Sequence, residues 1–336
     1  MSAIGDVARA AGVSKSTASR ALSGRGYVSA STRQRVVQVA EAMGFVASTN
    51  AASLKSGQTR NVGVVIPFLN RWFFAELLEG IETALIAAGY DLTLYQVSPN
   101  SEERRKLFDY FLVRKRVDAV VAIGIALTPR EVDRLTSLGK PIVGIGGDIA
   151  GIATLSIDDV GVARLMTDHV IALGHTRIMH FAGDLTEKMD FGVHAQRLQG
   201  YRRSMADAGL DPVYRETSFT TPGGYALAHA VLADATTRPT AIVAGCDEVA
   251  IGAIVAAREL GIRVPEDLSV TGVDDHDLAE MFGLTTVRQS PDRQGALAVE
   301  LLMDELVREV PAGRGSPVAF PVEVIVRSST AAPSVA

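Results

Sequence analysis

The chain has a single cysteine, Cys246, among 336 residues. A lone thiol excludes an internal disulfide framework and fits a reducing compartment, so the expected location is the cytoplasm. No apolar run approaches the ~18 uninterrupted residues that a membrane span needs. The opening MSAIGDVARA goes straight into an amphipathic helix, without the charged-then-apolar order of a secretion signal. The six histidines are scattered, with no HExxH and no Cys/His spacing, so no metal site is expected. No GxxxxGK[ST] loop occurs, and neither Gly124-Ile125 nor Gly144-Ile145-Gly146-Gly147 continues as GxGxxG into a helix. A GxSxG elbow is also missing, and Cys246 has no local signature of a nucleophile. The expectation is a binding protein with no catalytic residues and no cofactor.

What is present begins at residues 4–22, IGDVARAAGVSKSTASRAL. Ile4, Val7, Ala8 and Ala11 recur at helical spacing, and Gly12 supplies the positive φ of a tight turn. Ser14 caps a second helix whose buried face is Ala18, Ala21 and Leu22. Ser16 and Arg20 point the other way, with Ser19 to one side: small or basic donors suited to base edges and phosphates. Ser29 caps a third helix, which Gly44 ends. The pattern predicts a three-helix helix-turn-helix headpiece over 1–46.

Charge supports that reading. Residues 1–60 carry eight basic side chains and only Asp6 and Glu41, a net +6, whereas the whole chain nets −5 and the remainder −11. A basic head on an acidic body suggests a phosphate-contacting module joined to one that does not touch DNA. Residues 47–60 are small and polar with one apolar exception, Leu54, and read as a hinge. From residue 61, short apolar runs (62–66, 91–97, 118–124, 141–146, then 154–157, 178–183, 241–245, 268–273) alternate with helix-length stretches. This predicts an α/β body over 61–330: two lobes with parallel sheets, one spanning about 61–158 plus 291–319 and the other about 159–290 plus 320–330. The strand PVEVIVRSS completes the body, and 331–336 read as frayed. Ligands of such folds lie beyond the carboxyl ends of the strands. There Asp148, Asp158, Asp159, Asp247, Asp274 and Asp275 gather, either to bind a polyol or to cap the next helix.

In its motifs the chain resembles the lactose-repressor/galactose-repressor family of transcription regulators over nearly its full length. The head carries Asp6-Val7-Ala8, Ala11-Gly12-Val13-Ser14, Ser19-Arg20, Val28-Ser29 and Thr32-Arg33. The body carries Leu173-Gly174-His175, Gly200-Tyr201, Val264-Pro265-Glu266-Asp267, Gly272-Val273-Asp274-Asp275 and Leu284-Thr285-Thr286-Val287. The resemblance implies a homodimer on a palindromic double-stranded operator. Lys15 and Ser16 would read sequence, with Arg20 on base or phosphate; for Lys15 a purely phosphate role competes. Ser14, Thr17, Ser19, Ser29 and Thr32 would complete the contacts, Ser14 and Ser29 doubling as helix caps. Leu54 would wedge the minor groove, with Lys55 beside it.

In the body the resemblance implies a small-molecule effector, a carbohydrate or sugar derivative, held by Leu69, Phe73, Phe74, Asp148, Arg197, Phe219, Asp247, Asp274 and Gln289. Aromatic rings would stack on an apolar face while Arg and Asp make directional hydrogen bonds. The chain departs from the family at Gly146, where a ligand-facing Asp is usual, and at Cys246, where Asn is usual. The two-lobed body alone also resembles periplasmic sugar receptors, but the basic head argues against a plain solute-binding protein. No C-terminal heptad segment follows Ser329, so a dimer is expected.

Overall fold

The computed structural model describes residues 3–23, 26–45, 58–98, 101–112, 116–186, 191–308 and 317–334. The chain divides into two units, Met1–Thr59 and Arg60–Ala336. In the first unit, α1 (Ile4–Ala10), α2 (Lys15–Ser23) and α3 (Ala30–Ala42) surround a small centre. Gly12 takes φ 63° between the first two. Ser14 Oγ accepts the Thr17 N–H at 3.1 Å and Ser29 Oγ accepts the Thr32 N–H at 3.4 Å, capping α2 and α3. Val7, Ala8, Ala11, Ala18, Ala21, Val36 and Ala40 form the core. Five of the seven are alanines, so the helices approach closely and the buried apolar area per residue is small. The hinge positions Leu54 and Lys55 lie outside the described residues.

In the second unit, the inner strands of the two main sheets are buried, near-continuous apolar runs, as expected where helices cover both faces. The first sheet orders β11-β5-β4-β3-β1-β2 and is parallel throughout. Its strands are β1 (Asn61–Ile66), β2 (Asp91–Gln96), β3 (Ala119–Ile123), β4 (Ile142–Ile145), β5 (Ala153–Ser156) and β11 (Pro317–Ala319). The second sheet is also parallel, in the order β7-β6-β8-β9: Val213–Glu216, Ile178–Ala182, Ala241–Ala244 and Ser269–Thr271. After β1 comes α4 (Trp72–Ala87); a short α5 (Glu102–Lys106) runs into a π-turn at Leu107–Phe111, and α6 spans Pro129–Thr136. The second sheet carries α7 (Asp159–Ala172), α8 (Val193–Asp207), α9 (Thr221–Leu232) and α10 (Asp247–Glu259). The chain then returns: α11 (Pro291–Arg308) packs Ala298, Val299 and Leu302 into the core of the first sheet.

Three helix pairs approach so closely that only glycine fits between them, among them α7 and α8, where a Cβ on Gly200 would lie 2.2 Å from the Val160 carbonyl oxygen. A Cβ on Gly80 of α4 would lie 1.9 Å from the carbonyl oxygen of Asp292 in α11, and one on Gly295 2.3 Å from that of Leu77. Between α9 and α10, Gly224 and Gly252 do the same, each 2.2 Å from a facing carbonyl oxygen.

Three expectations are corrected. The strand read over 321–329 is only β12 (Glu323–Ile325), and it pairs antiparallel with β10 (Thr286–Arg288) outside both main sheets. Strand β7 was hidden by its exposed, polar VYRE sequence. The tail is not frayed up to Ser334. Ala331 donates its N–H to Ser269 Oγ at 3.1 Å, the buried His175 ring bonds the Ala331 carbonyl at 2.9 Å, and Ser334 Oγ donates to the Glu266 carbonyl at 2.7 Å.

Candidate functional site

In the first unit the start of α2 presents Ser14, Lys15, Ser16 and Arg20 as exposed side chains, with Thr17 and Ser19 half-buried beside them. The exposure follows from the helical period that buries Ala18 and Ala21. Arg20 lies along its own helix, donating Nε–H to the Ser16 carbonyl at 3.2 Å. The Ser14 hydroxyl pairs with those of Ser16 (2.9 Å) and Thr17 (2.8 Å). Ser29 Oγ donates to Thr32 Oγ1 at 2.8 Å at the start of α3. Tyr27, outside the expected contact residues, is 92% exposed in the loop between α2 and α3. A bare aromatic in a basic, polar loop was its signal.

The second unit holds a cleft between the two sheets, about 890 Å³ including its open mouth. The carboxyl ends of the parallel strands line it, as the topology requires. From the first lobe come Phe68 and Arg71 after β1, Phe73 and Phe74 in the first turn of α4, and Ile145 and Gly146 at the end of β4. The second lobe supplies His194 and Arg197 of α8, Phe219 after β7, Cys246 and Glu248 at the start of α10, and Asp274 after β9. Gln289 and Gln294 stand at the crossover and the start of α11.

Arg197 is the organising group, and it is 6% exposed. Its Nε donates to Asp159 at 2.8 Å and its Nη1 to the Gly245 carbonyl at 2.6 Å. Burial alone would lower its pKa, but Asp159 and Asp274 outweigh that, and the net shift is upward. The guanidinium is therefore a fixed charge. Asp274 accepts a short hydrogen bond from Gln289 Nε2, and the Gln289 carbonyl accepts from Gln294 Nε2 at 2.7 Å. Burial pushes the Asp274 carboxyl well above the usual carboxylate range, against the pull of Arg197. Its backbone sits at φ 133°, a strained value for a side-chain-bearing residue and one associated with ligand clamps. The Glu248 carboxyl is also raised by burial, with Arg71 of the other lobe pulling it back. Around this polar set stand aromatic edges: Phe73 on Phe74 (5.4 Å, 85°) and His194 on Phe219 (4.2 Å, 81°). Arg71 lies over the Phe68 ring at 3.7 Å. The arrangement offers directional hydrogen bonds on one side and flat apolar contact on the other. The Cys246 thiol is buried and pushed to a higher pKa, which makes it a poor nucleophile.

Six of the expected effector residues are brought together here: Phe73, Phe74, Arg197, Phe219, Asp274 and Gln289. Phe73 and Phe74 both line the cleft, although the first could equally have faced the core. Three do not reach it. Leu69 is 45% exposed outside the lining. Asp148 instead accepts a hydrogen bond from Thr154 Oγ1 at 3.2 Å. Asp247 is fully buried, holding Thr286 Oγ1 at 2.7 Å and the His276 N–H at 2.8 Å, so it braces the β9–β10 turns. His194 is a site residue outside the expected set, and Asp159, expected only as one of the strand-end carboxylates, also lines the cleft. The signal for His194 was its i, i+3 spacing from Arg197 on one helix face.

Comparison with known proteins gives a consistent picture. Residues 3–48 match the family described as bacterial regulatory proteins, lacI family, and residues 167–330 match a periplasmic binding protein-like domain. The catabolite control protein A of Priestia megaterium is 32% identical over 312 residues, covering 90% of this chain and 92% of the relative. The HTH-type transcriptional repressor PurR of Pasteurella multocida is 32% identical over 314 residues, 91% and 92% of the two chains. Among solved structures, the lac repressor dimer bound to operator and the anti-inducer ONPF superimposes with a TM-score of 0.84 at 25% identity, covering 98% and 99%. The complex of the transcriptional regulator CelR with cellobiose gives 0.70 at 27% identity, covering 98% and 100%.

Proposed function

The chain belongs to the lacI family of bacterial regulatory proteins, and from that premise we propose that it is a repressor whose operator binding is controlled by a small molecule held between its lobes. The observation that carries this is one chain with two chemistries: exposed Lys15, Ser16 and Arg20 on a capped helix, and buried Arg197 and Asp274 in an aromatic cleft. The protein acts as a homodimer on a palindromic operator. Lys15, Ser16 and Arg20 read bases, Ser14, Thr17, Ser19, Ser29 and Thr32 hold phosphates, and Leu54 with Lys55 engages the minor groove. A sugar or sugar derivative lies with its polar edge on Arg197, Asp274 and Gln289 and an apolar face on Phe73, Phe74 and Phe219. Binding biases the body only through unequal affinity for two arrangements, as any ligand-driven switch requires.

The experiment is a mobility-shift assay of the purified chain on DNA from around its own gene. A sequence-selective shift that weakens steeply as salt rises is expected, because bound phosphates release counterions. No selective shift would remove the reading. Leu54→Ala is expected to lower operator affinity while leaving effector affinity unchanged.

A further inference from the structure

Away from the crossover segments, the apolar clusters of the body segregate by lobe, with one exception among the described residues. Phe191 belongs by sequence to the second lobe but packs against the first-lobe cluster that contains Ile125 and Ile149. Its ring lies on Gly147: a Cβ built there would stand 2.3 Å from Phe191 Cγ. Gly147 is not among the positive-φ residues, so its backbone does not call for glycine. The missing side chain is what makes room for the ring.

The contact is anchored on both sides to the cleft. Phe191 takes φ 57°, the following Gly192 takes 76°, and the Phe191 carbonyl accepts from Gln196 Nε2 at 3.3 Å. The ring is thereby fixed at the start of α8, the helix that supplies His194 and Arg197. On the facing lobe, Gly147 follows Gly146, which lines the cavity. Strand order places this contact at one rim. In the first sheet β3 lies between β4 and β1, and in the second β8 lies between β6 and β9. Gly124 after β3 and Cys246 after β8 line the cavity in the middle. Phe191 on Gly147 joins the β6 and β4 sides. Across the cavity, Trp72 after β1 meets His276 after β9 with ring centroids 4.8 Å apart.

We propose that Phe191 and Gly147 form an interlobe latch, and that the lobes separate by drawing the ring off the glycine while Trp72 leaves His276. Phe191 is thus a positioning residue: it sets how closely the Arg197 helix faces the first lobe. The latch needs neither DNA nor effector, so its failure would leave the reading as a DNA-binding regulator untouched.

The chain's one tryptophan, Trp72, reports on the opposite rim. Acrylamide quenching of its emission, measured on the full-length protein without ligand, tests the latch. Phe191→Ala and Gly147→Ala are each expected to raise the quenching constant by about twofold or more, as local opening becomes cheaper. The double variant is expected to quench no more than the stronger single one, because both act on one contact. Phe191→Leu guards against loss of folding in the harsher variants, and it should give an intermediate constant alongside an unchanged far-UV spectrum. Wild-type quenching in Phe191→Ala or in Phe191→Leu, or multiplying effects in the double variant, would overturn the proposal.

Discussion

At the scale of single residues, the cleft is held by charges that have left water, and each depends on its partner. Asp159 is legible in the sequence only as one of several strand-end carboxylates, yet it is 4% exposed and carries the ion pair that orients Arg197. Asp159→Asn leaves the guanidinium buried with a weaker partner and is expected to lower unfolding free energy by roughly 3 kcal/mol, read by urea denaturation. Two other buried groups tilt stability with pH in opposite directions. Burial lowers His180 from 6.5 to about 4, so the folded chain resists protonation there. Its contribution is complete above pH 6.5 and is lost as pH falls through 4, a change of about 3 kcal/mol. His180→Phe, which keeps a ring against Tyr201, should therefore lose less stability than wild type between pH 6.5 and 4 in denaturant titrations. Burial raises Asp247 from 3.8 to about 7, which gives the reverse: stability from this group is full below pH 3.8 and lost as pH rises through 7. Asp247→Asn should flatten that loss between pH 3.8 and 7.

At the scale of elements, the parts decided by near neighbours were legible and those decided by distant partners were not. The head's helices, their Ser14 and Ser29 caps and the Gly12 turn all follow from residues within four positions of each other. The parallel strands were legible as apolar runs because helices cover both faces. Strand β7 was not, since VYRE has the composition of a loop and is a strand only because β6 offers its edge. The site divides the same way. Phe73 and Phe74 open the helix after β1 and Asp274 follows β9, places that the alternation marks, whereas Asp148 and Asp247 follow β4 and β8 and turn to local partners instead. Helix packing gives the prediction for this scale. Alanine normally stabilises a helix by about 1 kcal/mol relative to glycine. At Gly80, however, the new methyl would meet a backbone carbonyl at 1.9 Å, which side-chain rotation cannot relieve. Gly80→Ala is therefore expected to cost a net 1–2 kcal/mol or so by overpacking, with an unchanged denaturant slope. A gain in stability would mean that α4 and α11 can slide apart.

At the scale of the whole molecule, the chain passes between the body lobes three times: after β5, between β10 and α11, and between β11 and β12. On a ribosome this sets an order of completion. The headpiece emerges first with all its core residues. The first lobe begins next, at Asn61, but its core lacks Ala298, Val299 and Leu302 until α11 is made, and its edge strand β11 ends only at Ala319. The lobe that starts earlier thus finishes later: its sheet waits half-covered for some 150 residues of synthesis, the last 50 or so beside a second lobe whose four strands are already in hand. Nascent chains arrested near residue 290 should accordingly protect 178–271 from protease while leaving 61–156 open to cutting, an asymmetry that the finished fold conceals.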